Sequence, residues 1–199
     1  RRFSGSALRT DEPALPDELW LDTLATYPFL GSLTVDARAR LRELSAAFLR
    51  EKEFHGADGL AVTDRMALAV AAQACLPLVY LAPTGKAVDA LHWYDDFVGI
   101  VLHPGEVLAQ REVTDETGVV HHYHEALSGE AMDGGPVMLS WPDVAEAGTT
   151  AEHGYNVVIH EFAHKIDLRD GLADGCPPLP PGFLGSTSAA HARTLWLSR

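Results

Sequence analysis

Tyr155-Asn156-Val157-Val158-Ile159-His160-Glu161-Phe162-Ala163-His164-Lys165-Ile166-Asp167 is the stretch from which the rest of the chain can be read. It contains His160-Glu161-Phe162-Ala163-His164, an H-E-x-x-H pattern. Residues four apart on a helix stack on one face, so the two imidazoles can reach a single cation. Glu161, beside the first imidazole, can reach a water on that cation without ligating it.

A helical wheel tests the pattern. At about 100° per residue with Asn156 at zero, Asp167 falls at roughly 20°, His160 at roughly 40°, His164 at roughly 80° and Glu161 at roughly 140°. Tyr155, Val158, Ile159, Phe162 and Ile166 gather on the other side, from about 200° to about 300°. The expectation is a helix over residues 152–168 with a buried rear face. Its other face presents His160, Glu161 and His164. A surface helix with two incidental histidines would not segregate in this way. Zinc suits such ligands: it lowers the pKa of its water toward neutrality, and a carboxylate within reach can take the proton. His160 and His164 are therefore the expected metal ligands, and Glu161 the expected catalytic residue.

The remaining composition narrows the function classes. Net charge is −13, from 28 acidic and 15 basic residues. That balance argues against nucleic-acid binding through a broad basic surface. No apolar run approaches the ~20 residues needed to cross a bilayer, so no membrane partner is expected. Arg1-Arg2-Phe3-Ser4-Gly5 has no apolar core of a signal peptide and no initiating Met, so the natural start is expected upstream. Of two cysteines, Cys75 sits in an apolar helical run and reads as core, while Cys176 lies in a Pro-rich loop. Nothing requires a disulfide between them, and a cytoplasmic location is expected.

Taken in order, residues 1–33 read as an irregular lead-in with a short helix over 17–26. A helix follows over 33–53, with Ala37, Leu41, Leu44 and Phe48 repeating at threes and fours. Thr63 is placed to cap an Ala-rich, deeply buried helix over 64–76 that Pro77 ends. Residues 78–103 turn to strand character, clearest at 97–102. Segments 106–114 and 119–127 flank Asp115-Glu116-Thr117-Gly118 as a hairpin. Residues 136–140 form another strand candidate. Residues 174–185 hold four prolines and cannot be helical. A final helix is expected over 188–197. The order of helices, a small mainly antiparallel sheet and then helices gives an α+β fold.

Other residues invite chemistry. If 119–127 is a strand, His122 and His124 share a face and His121 points away; a solvated hairpin arm explains them more simply than a second metal site. Asn156 and Asp167 lie on the metal face, where a carboxylate or amide can accept an imidazole N–H. Asp167 can equally be a helix-end carboxylate facing solvent. Asp170 stands where a metzincin-type pattern would place its third ligand, but that pattern needs a Gly turn at 167, where this chain has Asp.

Gly154-Tyr155-Asn156-Val157-Val158-Ile159-His160-Glu161-Phe162-Ala163-His164-Lys165-Ile166-Asp167 resembles the Mlc titration factor A family of zinc-dependent peptidases. Gly135-Pro136-Val137-Met138-Leu139-Ser140-Trp141 and Ala71-Ala72-Gln73-Ala74-Cys75-Leu76-Pro77 support the resemblance in the same order. It implies a single zincin-like peptidase domain over 1–199, with Zn2+ on His160 and His164. It also implies aminopeptidase-type hydrolysis of peptides by a zinc-bound water that Glu161 activates. Association with the glucose-responsive repressor Mlc is implied as well. In that family the third ligand is a Glu on a later helix. No Glu follows His164 here, so the expectation is that this ligand, and the C-terminal helices carrying it, lie past Arg199. A chain ending at Arg199 should then hold zinc weakly and be inactive. In zincin-like sites an extended peptide adds to a sheet edge, which residues 137–140 or 119–127 are expected to supply. The competing class is a non-catalytic binding protein that titrates a transcription factor and keeps a vestigial metal site. Glu161 argues against it, because a structural zinc needs no general base.

Overall fold

In a computed structural model, residues 15–81, 86–105, 107–114, 120–127, 129–131, 134–171 and 175 are described; for 107–114, 120–127, 130, 131 and 152 the description is of backbone. Two helices form the frame. Helix α3 (Val35–Glu51) starts where the Thr34 hydroxyl accepts from Ala37 N at 3.3 Å. It turns Ala37, Leu41, Leu44 and Phe48 inward. Helix α4 (Asp64–Cys75) is capped in the same way by Thr63, and every residue from Met66 to Cys75 is buried. Ahead of them stand α1 (Asp17–Thr26) and the single turn α2 (Pro28–Gly31). Pro77 does not simply stop α4: 3₁₀ turns follow at Pro77–Tyr80 and Ala87–Tyr94, where strand character was expected.

The sheet corrects the expectation most plainly. Strands β1 (Glu53–Gly56), β2 (Gly99–His103), β5 (Gly129–Ala131) and β6 (Val137–Ser140) lie in the order β1-β2-β6-β5. The β1-β2 and β2-β6 pairs are parallel, and the β5-β6 pair is antiparallel. The sheet is therefore mainly parallel. Parallel neighbours need a helical crossover, and α4 with its 3₁₀ turns supplies it between β1 and β2. The expected hairpin exists as β3 (Val107–Thr114) and β4 (Val120–Leu127), but it forms a separate two-stranded ribbon. Its turn, 115–119, lies outside the described residues. So do Cys176, most of the Pro-rich loop and the helix expected over 188–197.

Helix α5 (Trp141–Thr150), absent from the elements expected from sequence, follows β6 directly and leads through a 3₁₀ turn (Ala151–His153) to α6 (Val157–Asp167). Gly154 breaks the chain between them at φ 80°, a left-handed conformation that favours glycine. Helix α6 thus begins five residues later than expected. Tyr155 lies ahead of it and is 45% exposed rather than buried.

The rear face of α6 enters an aromatic cluster. The Phe162 ring lies 5.1 Å from Tyr94, 5.7 Å from Phe48 and 5.8 Å from Phe97, tilted or edge-on in each case. Such pairs add stabilisation beyond their buried area. Two buried lysines flank the same cluster. Lys52 Nζ donates to the carbonyls of Tyr94 and Phe97, and lies 4.3 Å from the Phe97 ring centroid. Lys165 Nζ, on α6, donates to Gly135 O at 2.9 Å and Asp96 Oδ2 at 3.2 Å, with Phe97 4.7 Å away. These contacts tie α6 to the start of β2 and to the β5–β6 connection.

Candidate metal centre

The site is built on α6, whose N-terminus is fixed by Asn156. Its Oδ1 accepts from Ile159 N at 2.9 Å, and its Nδ2 donates to Gln73 Oε1 at 2.7 Å. Gln73 is fully buried in α4 and donates onward to Ala69 O at 3.1 Å. Asn156 therefore caps the helix and does not orient an imidazole, which corrects one expectation. The signal for Gln73 was present: it is the lone polar residue between Met66 and Cys75. A polar group in such a run needs a partner when buried.

His160 and His164 are both exposed, one turn apart. Their Nε2 atoms lie 3.2 Å apart, with the rings at 88° to each other. Two Zn–N bonds of about 2.0–2.1 Å spanning 3.2 Å would subtend about 100–106°, close to the tetrahedral value. The pair fits one zinc ion. Burial, and then the neighbouring His164, pull the His160 imidazole below its usual pKa. Its neutral, ligating form is favoured accordingly.

Glu161, beside His160 on α6, is 6% exposed. It lies against β5: a Cβ added to Gly129 would stand 2.7 Å from Glu161 Cγ and 2.9 Å from Oε1. The chain thus brings the His160 and His164 imidazoles together, with Glu161 the next residue along α6 from His160. It does not bring a third ligand to them among the described residues, where no group of three or more His, Cys, Asp or Glu could hold a metal. Asp170, in an exposed 3₁₀ turn after α6, does not join the two imidazoles in such a group. Asp167 is neither solvated nor bonded to an imidazole: it is buried, and its Oδ2 accepts from Gly175 N at 2.9 Å. His121, His122 and His124 lie on β4, where the description covers backbone alone, so the reading of their side chains lies outside the described residues. Residues 137–140 form an inner strand, β6, between β2 and β5, and 120–127 belong to the ribbon. The edge of the sheet beside Glu161 is β5.

Comparison with known proteins identifies the family. Residues 2–191 match the family described as glucose-regulated metallo-peptidase M90. The chain belongs to that family. A protein named Mlc titration factor A from Salmonella arizonae is 33% identical over 165 residues, covering 82% of this chain and 61% of the relative. Its namesake from Escherichia fergusonii is 31% identical over 171 residues, covering 85% and 60%. That of Enterobacter sp. strain 638 is 32% identical over 168 residues, covering 83% and 59%. The chain spans about three fifths of the length of these relatives. Membership of the M90 family implies a metal cofactor, and the imidazole pair is where the described residues fit one.

A recess of about 420 Å³ opens beside His160, lined mainly by Phe29, Ala151, Tyr155 and Ile159. Its walls are largely apolar. No described helix is long and apolar enough to cross a membrane.

Proposed function

We propose that the intact protein is a zinc-dependent peptidase of aminopeptidase type, built on one zincin-like domain over 1–199. The observation that carries this reading is the 3.2 Å convergence of His160 Nε2 and His164 Nε2, with Glu161 one residue along. His160 and His164 would hold the metal, and a third ligand would come from outside the described residues. The resemblance assigns that ligand to a Glu of a later helix. Bound zinc would supply Lewis acidity, drawing charge from the scissile carbonyl and making water acidic near neutral pH.

The remaining steps belong to the chain. Glu161 takes a proton from the attacking water as its oxygen bonds to the carbonyl carbon. It then delivers that proton to the amine as the C–N bond breaks. Burial of the Glu161 side chain keeps its rotamer fixed for both transfers. Strand β5, at the edge of the sheet beside Glu161, offers main-chain groups to an extended peptide. The apolar recess beside His160 favours an uncharged side chain next to the scissile bond.

The deciding experiment compares the full-length protein with Glu161→Gln for zinc content and for turnover of short peptides. Zinc retained and turnover lost by a factor on the order of 100 or more is the expected result. Equal turnover in both forms sinks the assignment of Glu161. A second reading draws on the relatives' name, which describes titration of Mlc. In it this protein binds a sugar-responsive repressor in the cytoplasm, and unchanged repressor binding with no turnover in either form would favour it.

A further inference from the structure

We propose that Gly129 is a positioning residue for Glu161: the absence of a side chain at 129 leaves the space in which the Glu161 side chain lies. The inference rests on the assignment of Glu161 as the general base.

Gly129 opens β5 and pairs with Leu139 of β6 in the antiparallel register. Its φ is not positive, so backbone conformation does not require glycine there. Space does. The three atoms nearest to a Cβ at this position would be Glu161 Cγ at 2.7 Å, Oε1 at 2.9 Å and Cδ at 3.0 Å. None of them is backbone, and all three lie beyond the Cβ of one side chain. A methyl at 129 therefore has one principal way to be accommodated, which is a change in the Glu161 rotamer. Residue 129 is itself buried, so the methyl cannot turn away into solvent.

The consequence is specific. An ordinary glycine-to-alanine change in a strand is neutral or helpful to stability, because it restrains the unfolded chain. Here the added carbon should leave the sheet, α6 and the two imidazoles in place while moving the carboxyl group. A displacement of about 1 Å in a reacting group can reduce a rate on the order of 100-fold. Neither His160 nor His164 supplies any of the three atoms nearest to a Cβ at 129, so both should keep their zinc affinity.

The test has two arms on the full-length protein. In the first, Gly129→Ala is compared with wild type for zinc affinity by chelator competition, and for kcat and KM on a short peptide. The expected result is unchanged zinc affinity, KM within about twofold and kcat lower by about 10- to 100-fold. Adding Gly129→Ala to Glu161→Gln should cost little further rate, since the base is already gone. The second arm needs no turnover. Urea midpoints of the metal-free wild type, Gly129→Ala, Glu161→Ala and the double variant form a cycle. Gly129→Ala should lower the midpoint when Glu161 is present and should not lower it when Glu161 is Ala. A wild type without peptidase turnover would sink the catalytic reading and leave this cycle to decide the contact. An equal midpoint change in both backgrounds, or a kcat within twofold of wild type in an active enzyme, overturns the proposal.

Discussion

Asn156 carries two bonds with one side chain, and the one to Gln73 can be removed without the other. Its oxygen accepts from Ile159 N and its nitrogen donates to Gln73 Oε1. Asn156→Ala removes both, losing a cap worth about 1 kcal/mol and leaving a buried amide oxygen unpaired at about 1–3 kcal/mol. A total loss of about 2–4 kcal/mol in urea unfolding is expected. Asn156→Asp keeps the cap acceptor but sets a carboxylate oxygen against the Gln73 oxygen. Turning the Gln73 amide to meet it would forfeit the bond to Ala69 O. The Asp variant should therefore fall between wild type and Ala; an Asp variant as stable as wild type would show that the Gln73 bond contributes nothing. The role of Asn156 was half legible. The wheel groups it with the metal face on the expectation of a helix from 152. The left-handed turn at Gly154 resets the start, so that Asn156 precedes the first helical residue. His160, Glu161 and His164 were legible because their mutual spacing does not depend on where the helix begins.

At the scale of elements, α6 is positioned by what its rear face touches. Phe162 meets three other rings, and truncating it to Ala should cost about 3–5 kcal/mol. Lys165 is a subtler support. It stands at roughly 180° on the same wheel, at the border of the buried face, and its Nζ reaches loops on both sides. Lys165→Met keeps much of the volume but strips Asp96 of its nearest cation and Gly135 O of a donor. Breaking a buried pair typically costs about 3–5 kcal/mol; Arg169, 3.9 Å from Asp96, should hold the loss to about 2–3 kcal/mol. Calorimetry of the two variants checks both values, and Lys165→Met as stable as wild type would remove Lys165 from the supports of α6. The sequence concealed this arrangement for a physical reason. Strands β1 and β5 have four and three residues, too few to display a period of two. Strand β1 also begins directly after Lys52, which looks like one more exposed helical residue. Its burial depends on carbonyls at Tyr94 and Phe97, more than forty residues away, and no local pattern encodes that distance. The β3–β4 hairpin was easy to see because its partners are adjacent in sequence, yet it lies outside the sheet that meets α6.

For the whole molecule, the buried titratable groups set how stability responds to base. Burial pushes the Cys75 thiol above its ordinary 9.0, the Tyr27 phenol from 10.0 to about 12, and the Tyr94 phenol well above 10.0. Each group keeps its proton in the folded chain after the unfolded chain has released it. The folded state then binds more protons, so stability falls as pH rises past the unfolded values, by up to about 1.4 kcal/mol per pH unit for each group. Lys52 acts in the opposite direction. Burial, the largest influence on it, lowers its pKa from 10.5, so the folded chain loses that proton first. Its contribution to stability therefore rises with pH until 10.5 is passed, and partly offsets the thiol over that window. Beyond it the phenols act unopposed. Urea midpoints should stay level to about pH 9, decline gently to about pH 10.5 and fall steeply above. Cys75→Ala, measured against wild type under reducing conditions, should flatten the first decline, even though the lost thiol volume lowers the whole curve slightly. Tyr94→Phe should instead ease the steep region, at the cost of the bond from its hydroxyl to Ala74 O at 2.8 Å. If both variants only shifted the curve downward without changing its shape, the alkaline response would have to come from Tyr27 or from the surface carrying the −13 net charge.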